Sequence, residues 1–130
     1  MDILIVESDT TTSDLIDEVM LNTEAFAKAT IARALTADQA RNLLETMPFD
    51  LIVVDLMVPG FNPLEVLPAF RRAHPSTPII AIAGAIEADQ LSTLHAASVY
   101  AVLLKPVRPE DLQPILQGAF LPAGPAPAAA

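Results

Sequence analysis

Leu51-Ile52-Val53-Val54-Asp55-Leu56-Met57-Val58-Pro59-Gly60 is the stretch whose reading decides the fold. Its apolar run reads as a strand buried on both faces. The run ends on a carboxylate and then on a Pro-Gly loop, so Asp55 stands where the strand leaves the core. In open α/β folds that carboxyl edge is where sites assemble. Working outward, Ile3-Leu4-Ile5-Val6 ends on Glu7-Ser8-Asp9, and Val102-Leu103-Leu104 ends on Lys105-Pro106. A central aspartate, an acidic pocket and a lysine on separate strand ends suggest phosphoryl chemistry.

Five apolar stretches have the character of buried parallel strands: 2–6, about 28–33, 50–55, 78–83 and 99–104. The second is the weakest, because its residues are mostly small. Helical patterns fill the gaps. Over residues 10–23, Leu15, Ile16, Val19 and Met20 form an apolar stripe opposite Asp14, Asp17 and Glu18. Asp9 or a neighbouring threonine caps that helix. Thr36 with Gln39 resembles a capping box, opening a second helix through Leu43, Leu44 and Met47 that Pro48 closes. Residues 64–73, 87–97 and 109–120 supply three more, with Pro109 suited to a first turn and Pro114 predicting a kink or a late start. Strands alternating with helices predict a single (βα)5 domain over residues 1–120, an α/β doubly wound five-stranded parallel sheet with helices on both faces. Residues 121–130, rich in Pro and Ala, predict a disordered tail or linker.

Composition narrows the class. A chain of 130 residues, 52% of them hydrophobic, is long enough to bury a core. No apolar stretch approaches the ~18 residues that span a bilayer, so no membrane partner is expected. Strand-like residues from Asp2 onward leave no room for a signal peptide, and the chain has no cysteine for disulfides or thiolate metal sites. A cytoplasmic location follows as the expectation. Sixteen acids against seven bases give a net charge of -9. Asp2, Glu7, Asp9, Asp14, Asp17, Glu18 and Glu24 precede the first basic residue. Such a field repels nucleic-acid phosphates and favours cations or a basic partner, although these acids also suit simple solvation of a helix face.

Taken together, Asp55 with the Asp-x-x-x-Pro frame of its loop, Lys105-Pro106 and the acid at Glu7 resemble the CheY-like (flavodoxin-like) receiver domains of bacterial response regulators, over residues 2–120. The resemblance implies two-component signal transduction without enzymatic turnover. Asp55 would accept a phosphoryl group from a histidine kinase or phosphotransfer protein, with Lys105 as electrostatic clamp. Glu7, Asp55 and the backbone carbonyl of Met57 would hold Mg²⁺. Glu65 lies where many receivers carry an acid, and the peptide bond before Pro106 is commonly cis in the family. Physical chemistry agrees, because moving a phosphoryl group onto a carboxylate brings anions together and needs compensating positive charge. An ordinary buried Asp-Lys ion pair would account for two of these residues without chemistry.

The chain departs from the family pattern at functional places. Ser8 replaces the second acid, and a neutral hydroxyl is a poor ligand for a hard cation, so Mg²⁺ is expected to bind weakly or not at all. Ala83 stands where the family has a Thr or Ser that bonds the phosphoryl oxygen. Val102 replaces the aromatic residue whose rotamer follows it. Asn62-Pro63 replaces a frequent Asp-Gly. These changes point to an atypical or pseudo-receiver, a protein-interaction module whose switch positions Ala83 and Val102 are disabled; a working phosphoacceptor with unusual coupling is the alternative.

The family's partner surfaces imply a kinase or phosphotransfer protein at the first helix and an effector or homodimer at the fourth helix, fifth strand and fifth helix. Tyr100, Leu91 and Leu94 are candidates there, core packing explaining the leucines equally well. An FMN-binding flavodoxin-like role is disfavoured. The loop Ser8-Asp9-Thr10-Thr11-Thr12-Ser13 is ringed by carboxylates and lacks glycine, and one Tyr with no Trp leaves little to stack a flavin. His74 and His95 are expected on solvated surfaces, with no hydrolase signature beside them.

Overall fold

The computed structural model describes residues 1–26 and 28–119. Five strands, β1 (Asp2–Val6), β2 (Thr30–Ala34), β3 (Leu51–Asp55), β4 (Ile79–Ala83) and β5 (Ala101–Leu104), form one parallel sheet in the order β2-β1-β3-β4-β5. Five helices alternate with them: α1 (Thr10–Leu21), α2 (Ala37–Thr46), α3 (Pro63–Ala73), α4 (Ala88–Ala96) and α5 (Pro109–Ala119). The strands at the centre are continuous aliphatic runs because both of their faces are covered. Ile3, Ile5, Val53, Ile80 and Ile82 pack with Ile16, Val19 and Met20 of α1 and Leu112 and Leu116 of α5. Leu4, Val6, Ile52, Val54 and Ala81 pack with Ala40 and Leu44 of α2, Val66, Leu67 and Phe70 of α3, and Leu94 of α4. The period-two alternation along each strand sorts its residues between these two layers.

Several boundaries differ from the sequence expectations. The second strand lies at Thr30–Ala34 rather than about 28–33, because pairing with β1 sets the register, with Asp2 opposite Thr30 and Val6 opposite Ala34. α1 ends at Leu21, and a short 3₁₀ turn, Glu24–Phe26, buries Phe26 before β2 begins. The fifth strand starts at Ala101, where pairing to Ile80 begins, not at 99. α3 starts one residue early because Asn62 caps it through Leu64 N–H at 3.1 Å and Pro63 takes the first position.

Pro114 does not delay α5, which runs from Pro109 as one helix. The carbonyl that Pro114 leaves without a donor belongs to Glu110 in the exposed first turn, open to solvent. Pro68 sits inside α3 in the same way, opposite exposed Leu64. His95 is exposed, but His74 is half-buried, not solvated. It ends α3, where α2 passes close by, so its Nε2 lies 3.2 Å from the Leu44 carbonyl oxygen and its ring packs against Phe49. Leu94 is core, while Leu91 is exposed and Tyr100 half-buried. Residues 121–130, expected to form a tail or linker, lie outside the described residues, as does Phe120 at the expected end of the last helix.

Candidate functional site

Parallel pairing of β1 and β4 with β3, and of β5 with β4, brings the ends of four strands to one edge. Glu7 follows β1 and is buried at 3% exposure; Asp55 ends β3 and is buried at 1%. Lys105 follows β5, its backbone N–H donating to the Ala83 carbonyl at 2.8 Å, with a cis bond to Pro106. The Lys105 ammonium forms an ion pair with Asp55 Oδ2 and lies 3.9 Å from Glu7 Oε1. The other Asp55 oxygen, Oδ1, accepts from Met57 N–H at 2.8 Å. Both oxygens of the central carboxylate are therefore engaged, one by an ammonium and one by the loop that follows it.

Glu7 is held differently. Its Oε1 accepts the Asp9 N–H at 2.9 Å, while Oε2 is buried without a hydrogen-bond partner. Burial, then contact with the Asp55 carboxyl, pushes the Glu7 carboxyl up to about 7. Lys105 moves up as well: burial opposes its charge, but the bond to Asp55 and the field of the surrounding carboxylates outweigh that. Two buried acids thus share one ammonium, a charge set that favours a further cation.

The donor set fits a divalent cation, though sparsely. Glu7 Oε2 is a buried oxygen without a hydrogen-bond partner, and carboxylate oxygens are the ligands Mg²⁺ prefers. Ser8, next in the chain after Glu7, is uncharged and exposed. Among the described residues no group of three His, Cys, Asp or Glu side chains can hold a metal. Asp9 does not reach inward: its Oδ1 caps α1 through Thr11 N–H at 3.0 Å and its Oδ2 accepts from Thr12 Oγ1 at 3.1 Å. Glu65 is exposed on the first turn of α3.

Ala83 and Val102 lie on the same face of the sheet. Ala81 pairs with Val102 and Ala83 with Leu104, and both Ala83 and Val102 belong to the layer under α3 and α4. Ala83 is buried, Val102 half-buried, and neither carries a polar atom on its side chain. Leu104 is 57% exposed beside them, an apolar surface residue that the sequence reading did not single out. It lies in an apparently ordinary β5 run, and only the edge position of that strand shows that one of its faces is open.

Comparison with known proteins gives the same family from three directions. The family model described as "Response regulator receiver domain" matches residues 3–117. The hydrogenase transcriptional regulatory protein HoxA of Cupriavidus necator is 30% identical over 111 residues, 85% of this chain and 22% of HoxA. The cell cycle transcriptional regulator CtrA of Caulobacter vibrioides is 29% identical over 112 residues, 86% of this chain and 47% of CtrA. This chain therefore spans less than half the length of either relative. Among solved structures, a CheY-like receiver domain from Methanospirillum hungatei superposes with a TM-score of 0.77 at 25% identity, over 89% of this chain and 90% of that one. The non-phosphorylated HemR receiver domain from Leptospira biflexa gives 0.79 at 21% identity, over 95% and 97%.

Proposed function

The chain belongs to the response regulator receiver family, and from that premise we propose that it is an atypical receiver: a signalling interaction module that keeps its phosphoacceptor, Asp55, and lacks the usual switch. Receiver domains are signalling modules of two-component systems, generally not enzymes, and normally bind Mg²⁺ at the phosphorylation site. The observation that carries the finer reading is the pairing of a charged acceptor centre with an apolar Ala83–Val102 face. A phosphoryl group on Asp55 meets no side-chain hydroxyl from β4, so its arrival favours no particular position of the following loop. A ligand shifts a two-state equilibrium only through unequal contacts with the two states.

Each residue has a stated part in this reading. Were a phosphohistidine presented to the site, Asp55 Oδ2 would attack its phosphorus and the histidine nitrogen would leave. Lys105 gives up its pairing with that oxygen and neutralises the charge of the bound phosphoryl group. Glu7, Asp55 and the Met57 carbonyl would hold Mg²⁺, which would supply positive charge to offset that of the phosphoryl group. Ser8 leaves that ion one anionic ligand short, so the domain works chiefly through constitutive contacts.

Acidic α1 suits a basic surface on a kinase or phosphotransfer protein, and exposed Leu91 and Leu104 suit an effector or a second copy across α4, β5 and α5. No nucleic-acid partner fits the charge of -9. No helix among the described residues is long and apolar enough to cross a membrane, and a bacterial cytoplasmic location is part of the proposal.

Intact-mass measurement after incubation with a small-molecule phosphodonor and Mg²⁺ tests this function. Little or no gain of one phosphoryl group (about 80 Da) supports the atypical reading. A stoichiometric gain that disappears in Asp55→Asn, accompanied by a change in oligomeric state, would establish the working phosphoswitch instead.

A further inference from the structure

The first turns of α3 and α4 leave between them a groove of about 140 Å³, lined by Asn62, Pro63 and Leu64 on one wall and by Asp89, Gln90 and Thr93 on the other. Both walls are set before anything binds. Asn62 caps α3 through the Leu64 N–H at 3.1 Å, and Pro63 fixes its first position. On α4 the Gln90 side chain closes the first turn on the Glu87 N–H at 3.1 Å, and Ile86 packs against the core just ahead of it. The Asn62-Pro63 pair that departs from the family pattern thus shapes this groove.

The chemistry of the groove is one-sided. Asp89 lines it, and Glu65 and Glu87 stand exposed at the starts of the same two helices. None of the three pairs with a base among the described residues. The chain has no Lys or Arg between Arg41 and Arg71, nor between Arg72 and Lys105. Arg71, toward the other end of α3, is engaged by backbone in the turns that follow α3 and α4. Its Nε donates to the Ala97 carbonyl at 2.9 Å and its Nη2 to that of Ser98 at 3.2 Å. Its Nη1 reaches the carbonyls of His74 and Pro75, each at 3.1 Å, and of Thr77 at 2.9 Å. In the groove itself, Thr93 Oγ1 gives its hydrogen to the Asp89 carbonyl at 3.1 Å and keeps only lone pairs. Pro68 has no N–H for the Leu64 carbonyl, so a groove-lining residue carries an acceptor without its helical donor. Apart from the neutral amides of Asn62 and Gln90, the polar groups here accept. Leu64, 66% exposed, adds an apolar flank.

We propose that this groove is a docking site for a basic segment of a partner protein: one arginine side chain enters between α3 and α4, its guanidinium meeting Asp89 and the Leu64 carbonyl, while an apolar residue beside it covers Leu64. The volume selects a single side chain, since small-molecule pockets start at roughly 300 Å³. Arginine suits the groove better than lysine, because its planar fork presents donors to several acceptors at once. The site goes beyond the proposed function. No residue of the Asp55 centre belongs to it, so it requires neither phosphorylation, nor metal, nor displacement of either helix.

NMR titration of the isotope-labelled whole chain tests it, with the capped peptide acetyl-Ala-Leu-Arg-Ala-amide and its counterpart carrying uncharged citrulline in place of arginine. The arginine peptide should shift the amides of residues 62–65 and 87–93 saturably, with a Kd on the order of 1 mM at low salt. The citrulline peptide should bind at least about threefold more weakly, and so should the arginine peptide to Asp89→Asn and to Leu64→Ser. The two substitutions lie on different helices, so Leu64→Ser keeps the test decisive should Asp89→Asn unfold α4. Shifts on acidic α1 in place of the groove, equal binding of the two peptides, or unchanged binding by either folded variant overturns the site. So does the absence of any saturable shift.

Discussion

The two halves of the carboxyl edge are built from opposite materials. Around Asp55, three ionisable side chains from three strand ends converge, with the Lys105 ammonium beside both carboxylates and a backbone N–H on each carboxylate. On β4 and β5, Ala83 and Val102 offer methyl groups to the layer under α3 and α4. The charged half depends on exact placement of a few atoms, whereas the apolar half depends only on volume. One sheet edge can therefore carry a charged centre beside a purely apolar face, because the two parts draw on different elements and different forces.

The severest way to break the charged half is to remove its only ammonium. Lys105→Ala leaves Asp55 and Glu7 buried together without a counter-charge, and urea unfolding should show a loss of about 2–4 kcal/mol, less than for a fully dry pair because Lys105 is partly exposed. Combining it with Asp55→Asn should recover much of that loss, since the uncompensated charge goes with it.

Next in size is a pH dependence. The Glu7 carboxyl titrates at about 7 in the folded protein against 4.5 when unfolded, so the folded state holds the extra proton between those values. Its contribution to stability is complete below pH 4.5 and is lost as the pH rises through about 7. Thermal unfolding across that window should show stability falling with pH, and Glu7→Gln should flatten the slope.

Ser8→Asp sharpens the comparison by completing the metal side. Titration calorimetry should show Mg²⁺ affinity rising by roughly tenfold or more, with the unfolding temperature becoming more Mg²⁺-dependent than in the wild type. The smallest effect is a control away from both halves. Ser98→Gly relieves a left-handed backbone at φ 54° and should stabilise by about 0.5–1 kcal/mol, with phosphorylation behaviour unchanged.

Much of this architecture can be read in the chain before folding is considered. Five aliphatic runs at alternating intervals require a parallel sheet, and the polar residue that ends each of three of them falls on one edge whatever the details of packing. Thr36 with Gln39 was legible as a helix start, and the Gln39 N–H does donate to Thr36 Oγ1 at 3.2 Å, although the Gln39 side chain reaches back to Leu35 N–H instead of Thr36. β2 was less legible because alanines and an arginine give no clear period, and its ends follow from hydrogen bonds to β1.

The amino-acid sequence by itself determined the fold class, a carboxylate at the end of the central strand at Asp55, a lysine at another strand end at Lys105, an uncharged Ser8 and the apolar Ala83 and Val102, because each rests on residue type and order alone. Tertiary structure decided the rest. That Glu7 keeps one oxygen unpartnered, that Asp55 is already held by Lys105 and Met57, and that Arg71 gathers carbonyls from two separate turns are consequences of burial and of backbone directions. Carbonyl acceptors are the same in every residue, so no spacing of side chains announces them until the chain has folded around the guanidinium.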